Sequence, residues 1–440
     1  MKQQMAHDKS KSGSLLIKGG RVIDPAAKLD ALMDVLLRDG RVAEVTAPNK
    51  IRSSADKIFD ARGLIVAPGF IDLHVHLREP GQSYKESIAT GTAAAAAGGF
   101  TSVCCMPNTS PVVDSPEWVA WIQQPERAAV VNVFPIAAAT HASKGAVLND
   151  FGALQRAGAV AVSDDGRPIL NDTIMRETLR AASGLNLPVI QHAEDTRMTE
   201  NCSMNEGPTS FRLGLRGMKT AAEASVVERD VYLAQQFAGA RLHVAHLSTA
   251  DALKAVRRGK RGKARVTCEV TPHHFTLTDA DVGDYNSNFK MSPPLRSSAD
   301  REAILVALAD GTIDAIATDH APHATHEKIT EFERALFGIT GLETAIGIAI
   351  TRLHRDHKIP LARIVELFTA GPARVVDLRG RGTLGRGSHA DVTIFDPKKR
   401  WTFEAEKSRS KSHNTPFDGW QFTGKVVATI VSGKIVYRGD

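Results

Sequence analysis

LIVAPGFIDLHVH (residues 64–76) is an apolar, partly β-branched run that ends in two histidines spaced two apart. It is the first of eight such runs between Gly63 and about Leu378. The others are TSVCCMP (101–107), VVNVFPIAA (130–138), AVAVSD (159–164), PVIQHAE (188–194), RLHVAHLS (241–248), RVTCEVTP (265–272) and IDAIATD (313–319). Runs of this composition and length read as buried strands. Helix-forming stretches lie between them, among them SYKESIATGTAAAAAGG (83–99), NDTIMRETLRAAS (171–183), TAAEASVVERDVYLAQQFAG (220–239) and TADALKAVRR (249–258). Strands alternating with crossover helices build a parallel sheet, and eight such units predict an α/β fold closed into a (β/α)8 TIM-like barrel over residues 67–378.

Outside this region the pattern changes to strands alone. LLIKGGRVIDP (15–25) and DVLLRDGRVAEV (34–45) read as hairpins, as do ADVTIFDP (390–397) and VVATIVSGKIVYRG (426–439). Each flank is short for an independent domain, so residues 15–66 and 379–440 are expected to pair into one small composite β-sandwich. The polar residues 1–14 read as a disordered tail, with Met5 an alternative start.

The bulk composition narrows the function class. The chain has 440 residues, is 42% hydrophobic and 24% charged, and carries a net charge of +6. No apolar run reaches the roughly 18 residues a spanning helix needs, so no membrane partner is expected. The basic run KAVRRGKRGKAR (254–265) has few aromatics beside it and reads as a solvated helix end rather than a nucleic-acid surface. Four cysteines with no CxxC spacing and no export signal point to reduced thiols in a cytoplasm.

In a barrel of this kind the carboxyl ends of the strands carry the chemistry. Here those ends read His74-Val-His76, Asp164-Asp165-Gly166, His192-Ala-Glu194, His243-Val-Ala-His246 and Thr318-Asp319-His320. Positions two apart on a strand share a face, so His74 and His76 can grip one ion. Taken singly, each residue has an ordinary structural reading: a hydrogen-bonded core histidine, a turn aspartate or a helix cap. Five strand ends carrying such residues together point to a divalent-metal site. Carboxylates and imidazoles without thiolates suit zinc, and also manganese, iron or cobalt. His243 and His246 face opposite ways, and His246, nearer the carboxyl end, is the expected ligand.

DLHVHLREPG (72–81), MPNT (106–109), SDDG (163–166), QHAED (191–195), HVAHLST (243–249) and ATDHAPH (317–323) resemble, in this order, the motifs of long-chain dihydroorotases. GRVIDP (20–25) and GRGSHADVTIFDP (385–397) resemble the composite sandwich of cyclic amidohydrolases. The resemblance implies one or two zinc ions per subunit, with His74, His76 and Asp319 on the more buried one, His192 and His246 on a second, and Asp165 bridging or completing the site. It implies that Asp319 shuttles the proton from the attacking water to the departing ring nitrogen, and that Arg78, Asn108 and His323 hold the substrate carboxylate. It further implies reversible hydrolysis of dihydroorotate to carbamoyl aspartate, with hydantoinase or allantoinase activity as the alternative chemistry. A silent subunit scaffolding a transcarbamoylase is the alternative of another class. Hydantoinases and allantoinases carry a lysine on strand four, whereas residues 159–170 contain none. KMSPPLR (290–296) departs from the family pattern, with Ser292 where an asparagine usually precedes the two prolines. The expected partners are the small-molecule substrate, a second copy of the chain in a dimer, and an aspartate transcarbamoylase.

Overall fold

A computed structural model of the chain describes residues 13–439. Apart from Gly13 and Ser14, the expected tail lies outside the described residues. Along the chain come β1 (Leu15–Asp24), β2 (Leu29–Arg38), β3 (Arg41–Thr46), β4 (Lys57–Asp60), β5 (Ile65–Pro68), β6 (Phe70–Val75), β7 (Phe100–Cys105), β8 (Asn132–Ala137), β9 (Ala161–Val162) and β10 (Val189–Gln191). A short pair, β11 (Met204–Asn205) and β12 (Gly217–Met218), precedes β13 (Arg241–Val244), β14 (Arg265–Val270), β15 (Ala315–Ile316), β16 (Val392–Thr402), β17 (Gln421–Val431) and β18 (Lys434–Arg438).

Eight strands, β6 to β10 and β13 to β15, pair in parallel in chain order. A bridge between Val75 and His320 joins the last unit to the first. Asp72 clasps the same seam: its carboxylate accepts the Thr318 N–H, at 3.1 Å, and the Thr318 hydroxyl, at 2.6 Å. The expected barrel is therefore present, with all eight predicted strands in their predicted order.

The opening run 64–76 proves to be two strands in two sheets. Ile65–Pro68 pairs with β1 and β16, and Phe70–Val75 pairs with β7. The hand-over falls at Gly69, where a Cβ would sit 2.1 Å from Thr101 Oγ1. Only a residue without a side chain lets the backbone cross there. Strands from both termini meet in one sheet of order β18-β17-β16-β5-β1-β2-β3, with β4 alongside β1. Val22, Val35, Val66, Val392 and Ile430, contributed by both ends of the chain, share its core.

The crossover helices occupy Ile88–Ala97, Asp172–Gly184, Thr220–Ala234 and Ala250–Gly259. The first starts later than the sequence pattern suggests, because the Ser87 side chain caps it by accepting the Thr90 N–H. Tyr84, Lys85 and Glu86 thus lie in the loop after β6. The basic run after the fourth helix has acidic partners: Arg257 pairs with Asp310, Arg258 with Glu228 and Lys260 with Asp314. All four cysteines are buried and unbridged. Among the described residues no helix is long and apolar enough to cross a membrane.

Candidate active site

The carboxyl ends of five barrel strands bring six side chains into one buried cluster. Three overlapping triads, His74–His76–Asp165, His74–His246–Asp319 and Asp165–His192–His246, each place their ring nitrogens and carboxylate oxygens within 4.8 Å of one another. Asp165 lies at the centre. Its Oδ1 is 3.5 Å from His74 Nε2, 3.7 Å from His192 Nδ1 and 3.9 Å from His246 Nε2, and its Oδ2 is 3.7 Å from His76 Nε2. Asp319 Oδ1 sits 3.0 Å from His76 Nε2 and 3.4 Å from His74 Nε2.

Buried polar atoms are almost always paired, yet His74 Nε2, Asp165 Oδ1 and His246 Nδ1 have no hydrogen-bond partner. A set of imidazoles and carboxylates that leaves ligand-type atoms unpaired in the interior fits a divalent cation. Burial, reinforced by His192 and His74, presses His246 well below its ordinary range, the neutral state a ligand needs. Burial alone would raise Asp165, but the charges of His74, His76 and His192 hold it well below the usual carboxylate range.

A second layer of acceptors aims the rings. His74 Nδ1 donates to Glu269 Oε1 at 3.1 Å, His76 Nδ1 to Asn108 Oδ1 at 2.8 Å, and His192 Nε2 to Glu194 Oε2 at 2.9 Å. In each case the other ring nitrogen is left facing the cluster, the arrangement that fixes tautomer and raises ligand basicity. Glu269 also accepts from His243 Nε2 at 3.1 Å, so His243 lies behind the site and His246 within it. Burial acts to raise Glu269, and the hydrogen bonds from His243 and His74 outweigh it and hold it at about 2.

Above the cluster opens a cavity of about 640 Å³ whose lining includes His76, Arg78, Asn108, Asp165, His192, His246, Ser292, Asp319 and His323. Of the ten residues expected to act, only His74 lies beneath it, fully buried. Asn108 is tied on both sides, since its Nδ2 donates to Asp165 Oδ2 at 3.0 Å while its Oδ1 serves His76. Ser292 donates to Glu194 Oε2 at 3.1 Å, so this hydroxyl supports the carboxylate that orients His192. Arg78 is buried, with Nε donating to the Pro322 carbonyl at 3.0 Å; burial presses its guanidinium down to about 10. Strand phase does not place it: β6 ends at Val75, and Arg78 reaches the cavity through a turn with φ 60°. His246 (φ 30°) and Asp319 (φ 46°) share this left-handed backbone, which is costly for residues with a Cβ and clusters at functional sites.

Sequence reasoning missed Glu269, Glu194 and Lys85. Glu269 carried a signal, a lone carboxylate in the otherwise apolar strand RVTCEV, and Glu194 lies two residues past His192, on the same strand phase. Lys85, buried with its Nζ 3.3 Å from His323 Nδ1, carried none, because the lysine stands in a polar stretch indistinguishable from surface.

Residues 63–252 match the family model described as dihydro-orotase-like. Proteins called dihydroorotase are similar along nearly the whole chain. The one from Solibacter usitatus is 53% identical over 420 residues, covering 95% of this chain and 97% of its own, and the one from Citrifermentans bemidjiense is 51% identical over 426 residues, covering 97% and 100%. Among solved structures, the L-hydantoinase (dihydropyrimidinase) from Arthrobacter aurescens shares the fold with a TM-score of 0.86 at 24% identity, over 97% of each chain. With half of its residues shared over almost its full length, the chain belongs to the dihydroorotase family of cyclic amide hydrolases.

Proposed function

We propose that the chain reversibly hydrolyses (S)-dihydroorotate to N-carbamoyl-L-aspartate in de novo pyrimidine biosynthesis. The observation that carries this reading is the meeting, in one cavity, of a buried histidine–aspartate cluster with an arginine whose hydrogen bond goes to a backbone carbonyl rather than to a carboxylate. The substrate is a cyclic amide bearing a carboxylate, and the two halves of the cavity answer to those two features.

His74, His76 and Asp319 would hold one zinc ion, and His192 and His246 a second where two are bound, with Asp165 bridging or completing the site. When bound, such an ion supplies Lewis acidity at the amide carbonyl and a hydroxide equivalent at neutral pH. Asp319 accepts the proton of the attacking water and delivers it to the departing ring nitrogen. In the synthetic direction it runs the same transfer backwards. Arg78 and Asn108 orient the carboxylate, with His323 packed against Arg78 in the same corner. Zinc as the metal, a homodimeric state, an aspartate transcarbamoylase partner, a cytoplasmic location and the division into a barrel at 67–378 and a sandwich at 15–66 and 379–440 belong to the same reading.

The test is kcat/KM for dihydroorotate, hydantoin and allantoin, beside metal analysis of the purified protein. Dihydroorotate is expected to be preferred, with one or two equivalents of zinc and loss of rate on chelation. A preference for hydantoin or allantoin overturns the substrate, and a metal-free protein whose activity chelators leave untouched overturns the mechanism.

A further inference from the structure

Behind His323, which lines the cavity beside Arg78, stands a buried cation with no assigned role. Lys85 lies in the loop between β6 and the helix Ile88–Ala97, and only 6% of it is exposed. Its ammonium is 2.9 Å from Glu327 Oε1 and 3.3 Å from His323 Nδ1. An ammonium has donors only, so His323 Nδ1 must be the acceptor and carry no proton. The other ring nitrogen, Nε2, donates to the Phe337 carbonyl at 2.8 Å. His323 is thereby fixed as the neutral Nε2–H tautomer with both nitrogens engaged. Arg78 Nη2, 3.4 Å from that Nε2, faces another donor, so this approach is packing and leaves the guanidinium edge available.

The charges of this corner follow. Arg78 and Lys85 are positive, Glu327 is negative and His323 is neutral; burial, with the neighbouring charges of Arg78 and Lys85, presses His323 down to about 3. Lys328, the next cation, turns its ammonium to the Leu336 and Gly338 carbonyls, at 2.9 and 3.0 Å. Glu327 is built in: Tyr84 donates to its Oε1 at 3.1 Å and the Ala324 N–H to its Oε2 at 2.9 Å, while Oε2 stands 3.6 Å from His323 Nδ1. Without Lys85, this carboxylate would face His323 and oppose an incoming anion.

We propose that Lys85 is a positioning residue for substrate binding: it cancels Glu327 and holds His323 neutral, so that Arg78 meets the substrate carboxylate with its charge undiminished. This rests on the reading that the Arg78 side of the cavity takes that carboxylate. Lys85 touches neither the reacting bond nor the histidine–aspartate cluster, so its removal acts on binding.

In the metal-containing enzyme, Lys85→Met is expected to raise KM for dihydroorotate about tenfold with kcat within about threefold, the signature of lost uniform binding. Lys85→Arg should keep KM within about threefold of the parent, because the charge stays. The double variant Lys85→Met/Glu327→Gln should recover most of the loss, because no carboxylate then needs cancelling; a merely structural lysine would give no such rescue. Nitrogen-15 NMR of histidine-labelled enzyme should show His323 with Nδ1 bare and Nε2 protonated in the parent, and with Nδ1 protonated in Lys85→Met at neutral pH. An unchanged KM in Lys85→Met, a double variant no better than the single one, or a protonated His323 Nδ1 in the parent overturns the proposal. The NMR measurement on the parent needs no substrate and no variant, so it judges the Lys85–His323 contact even if dihydroorotate proves not to be turned over or Lys85→Met does not fold.

Discussion

At the scale of single residues the site separates ligand-type atoms from the groups that aim them. Asp319 accepts no proton once it becomes an amide, so Asp319→Asn is expected to keep the fold and lose several kcal/mol of transition-state stabilisation, about tenfold in rate per 1.4 kcal/mol. Steady-state kinetics beside circular dichroism checks this, and near-parental turnover would remove Asp319 from the proton path. Glu269 never reaches the cavity but fixes His74 and His243 together. Glu269→Gln is expected to weaken metal affinity about 10–100-fold, the usual scale for a group behind a ligand. Titration against a competing chelator measures it, and unchanged affinity would make Glu269 a packing residue. Ser292 spends its hydroxyl on Glu194, whose carboxylate burial would raise but which the His192 hydrogen bond, with further help from Thr199 and Ser292, holds at about 2. Ser292→Asn should therefore shift kcat/KM for dihydroorotate by no more than about tenfold, the scale of one neutral hydrogen bond. A larger change would mean that position 292 reads the substrate ring directly.

At the scale of elements, strand ends and one glycine place the chemistry. Apart from His74, which lies within β6, the histidines and aspartates of the cluster follow strands of two to six residues, where the backbone leaves its ladder and turns, and the left-handed backbone of Arg78, His246 and Asp319 is the visible cost of aiming them inward. Gly69 separates the strand that belongs to the terminal sheet from the strand that carries His74, with Thr101 pressed against it. Gly69→Ala is expected to lower stability by about 1–3 kcal/mol, because the added carbon overpacks a buried crossing. Denaturant unfolding tests this, and a neutral outcome would mean that β7 can shift without loss. The eight strands were legible because buried parallel strands are uniformly apolar. The break inside residues 64–76 was not, because a run apolar throughout does not show where it changes sheets.

At the scale of the whole molecule, the carboxyl-terminal part does more than complete the terminal sheet. Its segment 410–414 returns to the mouth of the barrel. Ser410 and the Lys411 N–H bind Glu86, Ser412 Oγ donates to the Lys85 carbonyl at 2.6 Å, and Asn414 Nδ2 donates to the Ala321 and Gly338 carbonyls at 3.0 Å each. Asn414 Oδ1 accepts the His323 N–H at 2.9 Å. This one segment thus ties the loop carrying Lys85 to the loop carrying His323. Asn414→Ala is expected to raise KM several-fold while metal content stays at the parental level, because it loosens the anion corner and leaves the cluster alone. Metal analysis beside the KM measurement separates the two, and loss of metal would contradict this division. The sequence by itself determined the barrel strands and the strand-end positions of His74, His76, Asp165, His192, His246 and Asp319, because an apolar run and the residues that end it are local properties that a linear reading preserves, and the shortness of each flank pointed to the pairing of the two termini. Only the tertiary structure decided that Glu269 stands behind His74, that Lys85 is a buried partner of His323, and that the segment 410–414 ties the Lys85 loop to the His323 loop. Those contacts join residues far apart in the chain, and no local pattern distinguishes a polar side chain bound for the interior from one bound for water.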